Sequence, residues 1–502
     1  MEWKKTLCLG MMVSCCSATP LAWAASQSSM PAPKKMPRWT EIAQKYPSAY
    51  DKKTTEGIVT EKELAAYWQL FGDKTLDRLM EDAFQNNRDL KAAQARVEEA
   101  RAQLGMKQAE QLPWLNAGGG WGRGEIPENV IQRPLQQMAP QPGMLREPKR
   151  VEQMTALGID ASWEPDFFGR IKEGKKAAAH DLAAQQAALG STWVTLSGDV
   201  ALNYISLRVL QQDLALVQQH AMLEGEQSSL WESRFAAGLS SAAPLESMRS
   251  QEQNTRAEIP ALQQSIQETL TRLSILTGKE PGALQEYLQP APLPEVNPLL
   301  YHAVPAETLR QRPDIRAAEE QLLGQVARSK QARAELKPRF TLSGFLGLLT
   351  LGGGNPFSSG ARLFGFSPSL TLPLFHGGQL RQNVKFQDAR VRELQAQYEN
   401  TVLKAAGEVQ DAMTSIVQEN ERKHRFLQGT ENAESAYTLA RNRYEAGLSD
   451  YLPVLDSERT LLSVKRQENR SRGQELADLI HLFKALGGGW QMFEEQTKEG
   501  NH

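Results

Sequence analysis

Two glycine-led segments carry the residue types that a phosphate-binding loop would use. Gly169-Arg170-Ile171-Lys172-Glu173-Gly174-Lys175-Lys176 follows a strand-like run and opens a helix-like one, but Lys176 stands where such a loop needs a magnesium-binding Ser or Thr. The equivalent segment starting at Gly378 lacks the second glycine. The seven histidines, among them His180, His302, His376 and His481, have no ligand spacing, so no metal site is predicted. Glu98 and Glu99 read as a solvated helix face. All three cysteines, Cys8, Cys15 and Cys16, fall in the first sixteen residues. These patterns point to a non-enzyme without cofactor or metal, and the elements around them say more than the residues themselves.

The N-terminus predicts export. Lys4 and Lys5 precede an apolar stretch from Leu7 to Val13, and Ala22-Trp23-Ala24 offers the small residues a signal peptidase cuts after. Cleavage at Ala24 would leave a mature chain without thiols, excluding disulfides, zinc-cysteine sites and cysteine nucleophiles. The alternative is a lipoprotein signal with Cys15 acylated. A net charge of -2 gives no bias toward nucleic acid or an acidic membrane surface. No run of about 20 apolar residues follows the signal, so a membrane would have to be crossed by strands.

The chain then repeats itself. Asn87-Arg88-Asp89-Leu90 returns within Gln311-Arg312-Pro313-Asp314-Ile315, and Arg234-Phe235-Ala236-Ala237-Gly238-Leu239-Ser240 returns as Arg443-Tyr444-Glu445-Ala446-Gly447-Leu448-Ser449, at offsets of 225 and 209 residues. So long a period means one architecture of two similar halves rather than a solenoid. Each half holds a pair of strand candidates. Leu157, Ile159, Ala161 and Trp163 alternate with Gly158, Asp160, Ser162 and Glu164, while Trp114 to Gly122 is weakened by Gly118-Gly119-Gly120. Phe340 to Leu348 and Phe364 to Leu372 form the second pair. Periodicity alone also allows a soluble sandwich.

Each half also contains 66 residues without proline, Arg170 to Phe235 and Gln379 to Tyr444. As helix each is about 100 Å long. Leu182, Leu189, Leu196, Leu210 and Val217, with Trp193, Val200, Leu207 and Leu214, keep two seven-residue series, the mark of coiled-coil packing. Val391, Tyr398, Ala405 and Ala412 form a less regular counterpart. Both helices end at Gly-Leu-Ser turns that predict hairpins. Four strands cannot close a barrel and an open edge is not tolerated in lipid, so several chains must share one; three would give twelve strands.

Five segments in order resemble the TolC-like outer-membrane efflux factors of the NodT/OprM branch: Tyr67-Trp68-Gln69-Leu70-Phe71-Gly72-Asp73, Asn87-Arg88-Asp89-Leu90, Leu309 to Glu319, Leu372-Pro373-Leu374-Phe375-His376-Gly377-Gly378 and Ala485-Leu486-Gly487-Gly488-Gly489-Trp490. The resemblance implies an α+β membrane protein, a homotrimeric twelve-stranded transmembrane β-barrel continued by an α-helical coiled-coil tunnel in the periplasm. It implies an exit duct working with a periplasmic adaptor and an inner-membrane efflux transporter. It also implies a gate at the tip, with Leu452 as constriction and Asp456 as a carboxylate ring pairing with Arg459 or Tyr444. Leu452, Asp456 and Arg459 lie at spacings 0, 4 and 7, on one helix face. Pro453 and Pro244 stand where some relatives carry a gate acid, leaving a second ring open. The turn residues Arg234, Gly238, Leu239, Ser240, Arg443, Gly447, Leu448 and Ser449 match where the adaptor docks.

The expected organisation is a signal over 1–24, an N-terminal segment 25–74, repeat 1 over 75–280 with its tip turn at 236–243, a Pro-rich linker 281–306, repeat 2 over 307–490 with its tip turn at 445–452, and a tail 491–502. The rival reading is a soluble periplasmic coiled-coil scaffold or adaptor, which would have one hairpin rather than two and no lipid-facing strands.

Overall fold

In the computed structural model the described residues are 64–125, 151–296, 311–351 and 354–490. The chain divides into two units, Met1–Asp51 and Lys52–His502, and all described residues belong to the second. The signal segment with Cys15, the proline-bearing loop after Glu125, the end of the linker and the tail lie outside the described residues.

The elements in chain order are α1 (Lys74–Asn86), α2 (Arg88–Ala109), β1 (Trp114–Glu125), β2 (Val151–Trp163), α3 (Arg170–Ala236), α4 (Ala242–Leu276), α5 (Pro313–Ala334), β3 (Arg339–Leu351), β4 (Arg362–Thr371), α6 (Gln379–Glu445) and α7 (Leu452–Ala485). The duplication holds to the residue. Both ends of α2 and α5 differ by 225, and both ends of α3 and α6 differ by 209. The long helices each run 67 residues, as the proline-free stretches predict.

Packing follows the heptads. Trp193, Val200 and Leu207 on α3 are buried. In α6, Tyr398, Val402, Ala405, Val409, Ala412 and Ile416 are buried in strict alternation of four and three, so the second helix carries a regular seam of small side chains. Its second series, Val402, Val409 and Ile416, is valine-rich where α3 has tryptophan and leucine, and only burial separates it from the surrounding polar residues. α3 packs on α4, α5, α2 and α7, and α6 packs on α5 and α7.

Four of the five family-like segments explain themselves as one clasp at mid-length. Arg312 donates to the Ala485 carbonyl at the end of α7, 2.6 Å, and its repeat partner Asn87 donates to the Leu276 carbonyl at the end of α4, 2.9 Å. Each half thus uses the residue before its first helix to close off the last helix, meeting carbonyls that helix ends leave unpaired. Trp193 Nε1 donates to the Gly489 carbonyl at 2.8 Å, and Gly489 N–H donates to Leu64. Gly489 has φ 94°, and a Cβ there would stand 3.2 Å from Trp68 and 3.3 Å from Trp193, so glycine is required by both backbone and space. Tyr67 stacks on Phe483 at 5.1 Å.

Candidate functional site: a two-faced sheet and a helical tip

The four strands form one antiparallel sheet in the order β1-β2-β3-β4. Its register assigns faces, because directly paired residues share one. Leu157 pairs with Leu348, Ile159 with Leu346, Trp163 with Leu342, and Leu346 with Phe364. Adding Leu115 and Ala117 on β1 and Phe366, Pro368 and Leu370 on β4 gives a continuous apolar face. The opposite face carries Asn116, Asp160, Ser162, Ser343, Ser367 and Ser369, with a glycine row Gly118–Gly158–Gly347. Asn116 donates to Asp160 at 3.0 Å on this face. Trp114, Met154, Phe345, Leu349 and Leu363 are among its large apolar side chains, and Phe345 lies over Gly365, where a Cβ would stand 2.4 Å from the ring. The glycines of β1 thus become a strand through twelve paired residues with β2, which local propensity alone did not favour.

The apolar face is exposed in one chain: Leu346 is 66% accessible and Phe364 81%. Among the described residues no helix is long and apolar enough to span a membrane. The sheet itself carries this exposed apolar surface, and β1 and β4 are both edges.

Where the sheet meets the helices, Glu164 holds Arg170 at 3.0 Å and Arg339 at 2.7 Å, tying the start of α3 to the start of β3. The loop-like segment at Gly169 is occupied by the protein itself. Asp166 accepts from the Lys172 N–H at 2.6 Å and Lys176 pairs with Glu173 at 2.6 Å, so a carboxylate already takes the place an anion would.

At the other end of the helices lie two matching turns. Gly238 and Gly447 both have φ 71°. Leu239 N–H reaches the Arg234 carbonyl and Gly238 N–H the Phe235 carbonyl; Leu448 and Gly447 do the same with Arg443 and Tyr444. These are Schellman closures, in which glycine takes the left-handed position and two orphan carbonyls are satisfied. Leu239, Leu448 and Leu452 are left 79%, 71% and 69% exposed. Pro453 sits in the first turn of α7, where a missing N–H costs nothing.

Leu452, Asp456 and Arg459 share an exposed stripe of α7. Among the described residues of this chain, Asp456 and Arg459 make no ion pair with each other. Tyr444 instead receives a hydrogen bond from Arg234. The Arg234 guanidinium lies 5.5 Å from the Trp231 ring centre and 5.8 Å from that of Tyr444. Tyr451 packs edge-on against Tyr444 at 4.9 Å and against Trp231 at 5.5 Å. The structure thus joins one residue expected to dock an adaptor, Arg234, to one expected in the gate, Tyr444, and adds two aromatic residues that sequence reading missed. Trp231 and Tyr451 lie 220 residues apart, and only their positions just before and just after the repeated Arg-aromatic-x-Ala-Gly turns hint at them.

A model of the family described as outer membrane efflux protein matches residues 79–279 and 304–488, and the chain belongs to that family. It is an outer-membrane channel component of an efflux system, a barrel strand set continued by helices that reach into the periplasm. The outer membrane protein OprJ of Pseudomonas aeruginosa is 31% identical over 429 residues, covering 84% of this chain and 86% of that one. The toluene efflux pump outer membrane protein TtgI of Pseudomonas putida is 28% identical over 431 residues, 84% and 87% of the two chains. Among solved structures, the outer-membrane channel OprN superposes with a TM-score of 0.78 at 29% identity, covering 92% of this chain and 98% of that one. VceC of Vibrio cholerae gives 0.76 at 27%, covering 85% and 99%.

Proposed function

We propose that three copies of this chain close one twelve-stranded barrel in outer-membrane lipid, continue it as a helical tunnel, and gate it at the Gly238 and Gly447 hairpin tips. The observation that carries this is the sheet: two unpaired edges, one apolar face and one small polar face. Open edges in hydrocarbon leave backbone groups unsatisfied at several kcal/mol each, so only closure with other copies removes them. Signal cleavage after Ala24, or acylation of Cys15, would deliver the chain to that membrane.

In this reading the duct conducts passively what an inner-membrane transporter expels through a periplasmic adaptor. The adaptor docks at Arg234, Gly238, Leu239, Ser240, Arg443, Gly447, Leu448 and Ser449, where exposed leucines and short turns protrude. Three Leu452 side chains make a dewetting constriction and three Asp456 carboxylates a cation-attracting ring with Arg459 beside it. The Arg234–Tyr444 bond and the Trp231–Tyr451–Tyr444 stack hold the two hairpins of one chain together in the shut state. Fractionation followed by native mass of the detergent-extracted protein tests the assembly. A trimer from the outer membrane is expected; a monomer there, or a soluble periplasmic protein, overturns it.

A further inference from the structure

Above the tip, between α3 and α7, lies a buried charged cluster that the docking and gate residues do not use. His220 is 7% exposed, Glu224 1% and Glu458 5%. His220 Nδ1 stands 3.4 Å from Glu224 and its Nε2 4.0 Å from Glu458, so the ring bridges a carboxylate of its own helix to one on the other hairpin. Neither ring nitrogen of His220 makes a well-aligned hydrogen bond, while Thr255 and Gln251 stand beside the Glu224 carboxylate. Gln227 reaches Glu458 at 3.2 Å. From α4, Glu252 faces the same region but is held by Arg256 at 2.7 Å. From α6, Tyr437 and Arg441 face Glu458, as does Tyr451 at the start of α7.

Buried polar groups in a purely structural role are normally hydrogen-bonded, because each unpaired one costs about 1–3 kcal/mol. This cluster places three titratable side chains together across the α3–α7 interface, with its central ring held between two carboxylates without a well-aligned hydrogen bond at either end.

We propose that His220, Glu224 and Glu458 form a proton-operated latch between the two hairpins, closed while Glu458 holds its proton and released when Glu458 loses it. The inference rests on the tip acting as a gate. Desolvation pushes the Glu458 carboxyl above its ordinary value, against the neighbouring Gln227 and His220. Burial also pushes Glu224 up, but polar contact and charge from His220, with Thr255 and Gln251, outweigh it and leave Glu224 below the usual range.

The two shifts act in different pH windows. When the hairpins separate, Glu458 meets water and returns to the ordinary carboxylate range, so the shut state holds a proton that the open state sheds. That contribution is complete below the ordinary glutamate value and fades as pH rises through the raised one. The Glu224 contribution is present above the ordinary value and fades only in stronger acid. Between the ordinary glutamate value and the raised one, Glu458 therefore sets the direction: a lower pH holds the latch and a higher pH frees it.

The test uses the full-length protein reconstituted in planar bilayers, with open probability recorded between about pH 5 and about pH 8, alongside Glu458→Gln and His220→Gln. Open probability is expected to rise with pH in the parent, by up to about tenfold per pH unit for each linked proton, to flatten in Glu458→Gln, and to keep rising but at higher pH in His220→Gln, which removes a group that opposes the raised Glu458 value. A parent that conducts with no pH dependence, or a Glu458→Gln protein keeping the parent's slope, overturns the latch. Spin labels at Leu239→Cys and Leu448→Cys read the hairpin separation without conduction. A distance that ignores pH in the parent also overturns the latch, whereas failure to conduct at any pH, with the distance still responding, counts against the duct reading alone. Native mass and outer-membrane recovery establish that the variants assemble.

Discussion

Replacing Arg234 with alanine removes one of the contacts that join the two hairpins of one chain at the tip. The guanidinium donates to the Tyr444 hydroxyl and lies over the rings of Trp231 and Tyr444. A hydrogen bond from a charged donor contributes about 1.5–3 kcal/mol, and a cation–π contact at a wet site about 0.5–1. Arg234 is only half-buried, so solvent screening lowers the total to roughly 1–2 kcal/mol per chain. In a trimer whose tips part together, three such losses make about 3–6 kcal/mol, a shift of roughly 10² to 10⁴ in the balance of shut and open. Single-channel recording of the reconstituted trimer should show a large rise in open probability, with Tyr444→Phe giving a smaller one because the ring contacts remain. In cells the same variant should admit large hydrophilic antibiotics. If Arg234→Ala leaves conductance and antibiotic entry unchanged while the trimer stays intact, the hairpin contact does not hold the gate.

The other expectations address the remaining parts of the molecule. Asp456→Asn should weaken cation preference and divalent block in the same recordings while leaving assembly intact; an unaltered selectivity removes Asp456 from the conduction path. Leu346→Arg places a charge on the apolar face at a cost of about 2–4 kcal/mol near the bilayer centre and should reduce outer-membrane yield, whereas Ser367→Arg on the opposite face should assemble normally. Loss of Ser367→Arg with normal assembly of Leu346→Arg would show that the faces have been assigned the wrong way round, and equal behaviour would show that neither face is the lipid face. Gly489→Ala, which meets both a left-handed backbone and the Trp68 and Trp193 rings, should lower stability by roughly 2–3 kcal/mol, read as an earlier thermal dissociation of the detergent-solubilised protein.

Much of the architecture was readable because it rests on local or repeated signals. A chain that lacks proline for 66 residues and repeats apolar residues every seven forms a long helix wherever it sits, and α3 and α6 end within one residue of where those stretches end. Gly238 and Gly447 are legible for the same reason, since a left-handed helix end has few other candidates. The alternation in β2 foretold which of its residues share a face. The seam of α6 was read as irregular because its second series hides among alanines and polar residues, and only burial marks Val402, Val409 and Ile416 as one line.

The Arg234–Tyr444 bond, the Trp231–Tyr451 pair and the His220–Glu224–Glu458 cluster were not legible. Arg234 and Tyr444, Trp231 and Tyr451, and His220 and Glu458 lie more than two hundred residues apart, and nothing in the sequence says that these side chains meet. His220 in particular read as one of several scattered histidines, because a bridge to Glu458 exists only once α3 and α7 pack together. Helix length, turn position and strand face depend on backbone geometry and side-chain periodicity, which each segment carries with it. Which charged side chains meet, and whether water reaches them, depends on how α3 and α7 dock along their lengths, and that is decided by the summed packing of the whole bundle.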